Sequence, residues 1–330
     1  MRLAFLCILA LLGVVVPALF IGVGNGVLAQ SADPAAGPAA APLPEWAYPV
    51  SPPIAQFDAS VQHTLAGSSR RYTEAQIEND FAPPDWFPED HPAMPTVVAN
   101  GRAPAVKACS KCHVTNGAGH PESSDIAGMQ EAYIIRQMAD FKDGRRKGAR
   151  AGSMLPIAKA VSDEELREAA RYYAALPRLA WTKVVETDTV PKTELHVGGM
   201  RFAVDKGGTE PIGNRIIEVP EAPERARLRD SRMGFVAHVP VGSVKRGEAL
   251  VKGDGGQTPP CANCHGADLK GIDEVPYLTG RSPTYVFRQL NDIKVGTRSG
   301  PSAEQMQPIV AKLTQGDMLA IAAYLATLPR

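Results

Sequence analysis

The stretch CANCHG occupies residues 261–266, and a second one, CSKCH, stands at 109–113. In each, two cysteines lie three positions apart and a histidine follows the second at once. Two thiols at this spacing can add across the two vinyl groups of one haem, and the adjacent histidine then has a fixed reach to the iron. The pattern C-x-x-C-H is an attachment signature for c-type haem. Other chemistries of paired cysteines fit less well. A thioredoxin-like dithiol needs a βαβ setting, and neither copy is flanked by one. Structural zinc takes two pairs about 15–20 residues apart, whereas these pairs are 152 apart and each has its own histidine. The candidate cofactors are therefore two covalently bound haem c groups. Cys109, Cys112, Cys261 and Cys264 are the attachment residues, and His113 and His265 are iron ligands.

The same offset runs through the flanking sequence. Residues 101–177 align on 253–329 without a gap, with 24 identities in 77 positions. Chance gives about one in fifteen to twenty. Gly128 matches Gly280, Tyr133 matches Tyr285, and Arg136-Gln137 matches Arg288-Gln289. Pro156-Ile157 matches Pro308-Ile309, and Leu176-Pro177 matches Leu328-Pro329. The chain holds one module twice.

Each module reads as helical. EAYIIRQMADFKDG keeps Tyr133, Ile134, Gln137, Met138 and Phe141 at helical spacing and stops at Gly144. Ser162 and Glu165 form a capping box that opens LREAARYYAAL. The second copy offers YVFRQLNDIKVG, then Thr314 as the cap of DMLAIAAYLATL. Short helices are expected at Pro95–Gly101 and Ser243–Gly253, each before its motif.

A ligand that both irons need must recur at the offset. Of the seven histidines only His113 and His265 do so, whereas Met154 and Met306 both recur, each 45 residues after its first motif cysteine. A thioether is a soft ligand, and Met/His ligation raises the reduction potential. Burial in a core is the common fate of methionine. Met129, Met200 and Met233 have no methionine partner at the offset, and Met138 pairs with Leu290 as ordinary core. Met154 and Met306 each stand in a Gly/Ser/Pro-rich loop before a helix, where a ligand loop belongs. They are the candidate sixth ligands. Arg146 and Arg298 follow Gly144 and Gly296, positions from which a guanidinium could meet a haem propionate or simply face water. Tyr133 and Tyr285 pack or touch a haem. The run KDGRRKGAR (142–150) either steers an acidic partner or is a solvated loop. His91, Trp46, Tyr48, Trp86 and Phe87 either cover a haem edge or pack structurally.

The bulk numbers set limits. Lys plus Arg and Asp plus Glu both count 35 in 330 residues. A chain without net charge has no global field to hold nucleic acid. Aromatic residues make up only 6%, against 30 Gly and 29 Pro, which favours modest helices tied by turns. Cys7 is the fifth cysteine, so none is left for a disulfide framework. Arg2, the apolar run Leu3–Val23 and the small-residue exit Val27-Leu28-Ala29 read as an export signal, 1–29. Uncleaved, residues 3–23 are long enough to anchor the chain in a membrane. Residues 30–94 read as a Pro-rich linker and an irregular arm. A short helical stretch is expected near Thr73–Asn79. The modules are 95–177 and 243–330. Between them 178–242 alternates apolar and polar residues in TELHVGGMRFAV, NRIIEVP and GFVAHVP, as short strands do.

These residues resemble tandem di-haem class I cytochromes c of the cytochrome c-four type. The resemblance rests on both C-x-x-C-H motifs, the G…Y-x-x-R-Q helix, the G-x-R turn, the M-x-P-I loop and the terminal helix ending in Leu-Pro. It covers 95–177 and 243–330, about half of the chain. It implies a mainly α fold of two tandem class I domains, with an irregular N-terminal arm and a β-rich segment between them. It implies one haem with His113 and Met154 as axial ligands and another with His265 and Met306. It also implies an electron carrier in the periplasm, between a periplasmic dehydrogenase or quinol-oxidising donor and a terminal oxidase or other acceptor. A carrier performs no chemistry on a substrate. Rival expectations are a di-haem enzyme, either a peroxidase or a thiosulfate-oxidising cytochrome, and a cytochrome subunit fixed in a dehydrogenase complex. The family usually joins its domains by a short linker, so the arm and 178–242 are departures that point to a dedicated partner.

Overall fold

The computed structural model describes residues 42–53, 58–254 and 256–330. The export signal, its apolar stretch 3–23 and the linker through 41 lie outside the described residues. From Pro42 onward the chain packs as one unit.

The arm is more ordered than its proline content implies. β1 (Gln62–Thr64) pairs antiparallel with β2 (Arg71–Thr73), Gln62 opposite Thr73. Thr73 then caps α1 (Glu74–Ile77), with the Thr73 hydroxyl accepting from the Gln76 amide and the Gln76 side chain accepting from the Thr73 amide. Leu65, Ile77, Trp86 and Phe87 form a small core beneath the arm. The first module follows with α2 (Thr96–Ala99), α3 (Ser110–His113), α4 (Glu131–Lys142), α5 (Met154–Ala160) and α6 (Asp163–Ala174). α4 ends at Lys142, two residues before Gly144, which takes φ 71°, as a helix C-terminus commonly requires.

The segment between the modules carries β3 (Thr182–Glu186), β4 (Thr189–Pro191), β5 (Thr193–Leu195), β6 (Arg201–Ala203), β7 (Thr209–Pro211), β8 (Ile217–Pro220), α7 (Pro223–Arg227) and β9 (Phe235–Val239). The three alternating stretches fall on β5 with β6, on β8 and on β9. β3, β4 and β7 lie outside those stretches. β3 runs parallel to β9, with Thr182 opposite Phe235, and β8 is antiparallel on the other side of β9. β4–β7 and β5–β6 are separate antiparallel ladders.

The second module has α8 (Ser243–Lys252), α9 (Ala262–His265), α10 (Pro283–Lys294), α11 (Pro301–Glu304), α12 (Gln307–Val310) and α13 (Gln315–Thr327). Its last helix differs from its counterpart for a reason of packing. α6 buries one stripe, including Ala169, Ala170, Tyr172 and Tyr173, and leaves charged residues in water. α13 is apolar nearly all round and buries Met318, Leu319, Ile321 and Leu325, because α8, α10 and β3 all pack against it. The α8–α13 crossing depends on Gly247, where a Cβ would stand 1.9 Å from the Ala320 carbonyl oxygen. Gly247→Val is therefore expected to cost about 3 kcal/mol through forced separation of the two helices, read as a lower midpoint in denaturant unfolding.

The α6 cap carries a pH signature. Arg102 grips Glu165 with both fork nitrogens, at 2.8 and 3.1 Å, and the Ser162 amide donates to the same carboxylate at 2.8 Å. Those bonds, the Arg102 one foremost, hold the Glu165 carboxyl down at about 2. A carboxylate lowered on folding adds stability above its unfolded pKa and loses it as pH falls through the folded one. The stability gap between the parent and Glu165→Gln should thus shrink as pH drops from about 5 towards the folded value, measured by thermal unfolding at matched salt.

Candidate haem-binding sites

Each motif is one helical turn. Cys109 caps α3 with φ −60° and ψ −35°, and Cys261 caps α9 with φ −62° and ψ −28°. The His113 amide donates to the Cys109 carbonyl at 3.0 Å, as the His265 amide does to Cys261. One turn sets residues three apart on the same side of the helix, so each cysteine pair presents two thiols together. All four thiols are free.

The histidines are held alike. His113 Nδ1 lies 2.8 Å from the Ser124 carbonyl, and His265 Nδ1 lies 2.8 Å from the Pro276 carbonyl. Positions 124 and 276 are themselves 152 apart. A carbonyl only accepts, so Nδ1 carries the proton and Nε2 keeps its lone pair for a metal. Burial lowers the pKa of both imidazoles, which favours the neutral, ligating form.

The methionines stand at helix starts rather than in open loops. Met154 is the first residue of α5 and Met306 the N-cap of α12. Their amides bond the carbonyls of Ala151 and Ala303, both at 2.9 Å, again at the repeat offset. Pro156 and Pro308 explain the difference. Proline is tolerated in a helix's first turn, where its missing N–H costs nothing, so the helices begin at the methionines. Met154 sits beside Phe141, Ala151 and Ala158, and Met306 lies against the second module's core.

The residue set fits haem c: paired free thiols on one turn, a neutral imidazole with Nε2 unclaimed, and a half-buried thioether at the same place in both modules. The cytochrome c family model matches residues 244–329. Cytochrome c4 from Pseudomonas aeruginosa is 28% identical over 233 residues, 69% of this chain and 86% of that protein. Cytochrome c-554(548) from Halomonas halodenitrificans is 35% identical over 68 residues, 20% of this chain and 82% of that protein. The chain belongs to the cytochrome c family. It is a di-haem electron-transfer cytochrome of the c4 kind, with two covalently bound haem c groups. The Thiosulfate dehydrogenase electron acceptor of Thiomonas intermedia is also similar, 26% identical over 229 residues, 68% of this chain and 81% of that protein.

The repeated polar residues do not stay inside their own modules. Residues 145–147 and 297–299 pair antiparallel across the seam between the two halves of this cytochrome. The Lys147 amide donates to the Thr297 carbonyl and the Ser299 amide to the Arg145 carbonyl, each at 2.8 Å. Arg146 donates to Gln137 at 3.0 Å, Tyr285 at 3.0 Å and Gln289 at 2.9 Å. Arg298 repeats this with Gln289, Tyr133 and Gln137 at 3.0, 3.0 and 2.9 Å. Neither arginine is a solvated surface residue. Burial alone would raise the Tyr285 hydroxyl, but the guanidiniums of Arg146, Arg281 and Arg298 outweigh it and hold it below the phenol range. Glycine lets the halves approach, since a Cβ at Gly148 would lie 2.2 Å from the Asp292 carboxylate and one at Gly300 2.3 Å from that of Asp140.

Three of the five basic residues in the run 142–150 are engaged: Arg145 pairs with Asp140 at 3.4 Å, Arg146 is in the seam and Arg150 pairs with Glu122 at 3.1 Å, while Lys142 and Lys147 are exposed. Trp46 packs on Phe287, Tyr48 donates to Asp292 at 2.8 Å, and Trp86 Nε1 donates to the Leu228 carbonyl at 2.6 Å. The sequence also concealed a buried cluster around Asp125. Arg281 and Arg330 pair with Asp125 at 3.0 and 3.1 Å, and Tyr277 donates to it at 3.1 Å. Arg281 also donates to the Ser124 hydroxyl at 2.7 Å. Asp125 aligns with Tyr277 and Arg281 with Met129, so the repeat gave no hint of it.

Arg146→Ala and Arg298→Ala should each cost about 2 kcal/mol by leaving a buried tyrosine hydroxyl and glutamine oxygen short of donors. Because Gln137 and Gln289 each serve both arginines, the double variant should depart from the sum of the two, measured as a coupling energy in denaturant titrations.

Proposed function

We propose that Cys109 and Cys112 carry one haem c, with His113 and Met154 as its axial ligands, and that Cys261 and Cys264 carry the other, with His265 and Met306. The observation behind this is recurrence. The one-turn cysteine pair, the imidazole tied through Nδ1 to a carbonyl, and the methionine at a helix start all return 152 residues later in the same conformation. When bound, each haem supplies a one-electron couple. The carbonyls of Ser124 and Pro276 aim the imidazoles and strengthen them as donors. The thioethers favour the reduced state and so a high potential.

With a histidine and a methionine offered to each iron, no coordination site would be left for a substrate. This is a carrier's arrangement rather than that of a peroxidase or a thiosulfate-oxidising enzyme. A dehydrogenase is the donor class with most support, since a relative bears the name of a dehydrogenase's electron acceptor. In this reading 1–29 exports the chain to the periplasm. Among the described residues no helix is long and apolar enough to cross a membrane.

The test is the visible spectrum of the exported protein, oxidised and reduced, with haem counted per chain. Two low-spin haems and a far-red sulfur-to-iron charge-transfer band are expected. Met154→Ala and Met306→Ala should each remove half of that band and lower one midpoint potential. A band and potentials that neither substitution moves would remove the methionines from the ligand set. Peroxide turnover by the parent would favour the enzyme.

A further inference from the structure

The duplication supplies its own control for exposure, because each residue around one cysteine pair has a counterpart 152 residues away. From Cys109 to Met129 no residue is exposed. From Cys261 to Arg281, the matching stretch, eight are. Cys264 is exposed where Cys112 is half-buried. Asn263 is exposed where Lys111 is 6% exposed, and Asp268 is exposed where Asn116 is buried.

The arm and the segment between the modules cause this difference. Lys111 Nζ donates to the Ile77 carbonyl at 3.1 Å and reaches Glu78 at 3.3 Å. Arg229 donates to the Ile77 carbonyl, the Lys111 carbonyl and Glu78, at 3.0, 3.1 and 3.0 Å. Asn116 donates to the Ser231 carbonyl at 2.6 Å, and the Ala108 amide to the Asp80 carbonyl at 2.9 Å. Trp86 ties the two coverings together through Leu228. Buried, charge-assisted bonds of this kind hold a cover shut rather than resting it on a surface.

We infer that the two haem sites are unequal in access: the first is sealed by residues 77–80 and 228–232, and external redox proteins exchange electrons at the open edge around Cys264. This rests on the reading that each cysteine pair carries a haem. Electron transfer falls steeply with distance, so a partner works through the edge it can touch. The open edge has an apolar centre and an acidic rim. Ile272 is 49% exposed and Ala267 is exposed. Asp254, Asp268 and Asp273 are exposed and have no ion-pair partner among the described residues, and Lys270 is the opposing unpaired charge. Lys252 is taken by Glu248 and Glu274 by Arg136. The surface suits a redox protein whose own cofactor edge is ringed by lysine or arginine, with long-range attraction setting the encounter rate.

The test is stopped-flow electron transfer from a reduced, lysine-ringed small cytochrome c to the oxidised di-haem protein, across ionic strength. Asp268→Lys with Asp273→Lys should slow the bimolecular phase by about tenfold at low salt and flatten its salt dependence. Glu164→Lys with Glu168→Lys, an equal charge change on the exposed side of α6, should alter it less than twofold. Equal slowing by both pairs, or no slowing by the first, overturns the assignment of the open edge. Haem content per chain separates the two readings: one haem per chain in the parent defeats the ligand reading, whereas two haems with insensitive rates defeat this one.

Discussion

Two guanidiniums crossing one seam hold the halves of this cytochrome together. Arg146 and Arg298 each bond a glutamine of their neighbour module, a tyrosine of that module and a glutamine of their own. Buried donors and acceptors carry a desolvation cost unless they are matched. In a duplicated chain the least demanding match is a two-fold one, in which each residue meets the partner of its own counterpart. That constraint explains why Tyr133, Gln137, Asp140, Arg146 and Gly148 all recur. Gly148 and Gly300 complete it by leaving room for Asp292 and Asp140.

The rest of the chain breaks this symmetry. Residues 77–80 and 228–232 cover the first cysteine pair, and nothing comparable among the described residues covers the second. β3 is laid against α13 instead, so the segment between the modules touches each of them in a different way. The Asp125 cluster is not two-fold either: the carboxylate stands beside Ser124 of the His113 loop, whereas Tyr277 stands at the matching place beside Pro276 of the His265 loop. Two modules of one ancestry thus give their haem sites different surroundings. Burial and nearby charge are among the factors that tune a haem potential.

Helices were legible wherever their signals were local. The α4 stop at Gly144, the capping box of α6, the Thr314 cap of α13 and the short α1 after Thr73 all fall where the residues point. β5, β6, β8 and β9 were visible as alternating stretches. β3 was not, because its pattern is weak and its place comes from pairing with β9, some fifty residues on. The seam was within reach in principle. Polar residues recurring at helical spacing on α4 and α10 signal a shared polar contact, but the repeat does not say that the contact is with the other copy.

The sequence by itself determined the chemistry: two C-x-x-C-H motifs, the offset that relates them, and the methionines that share it. Covalent spacing and helical periodicity act within a few residues, so they can be read along the chain. Tertiary structure alone decided which residues cross the seam, which cysteine pair is covered and where the acidic rim lies. Those outcomes depend on contacts between segments far apart in sequence, such as Lys111 with Ile77 and Arg229, or Arg281 with Asp125. Such contacts leave no periodic trace, because a buried polar group requires only that a partner be present, not that it be near in sequence.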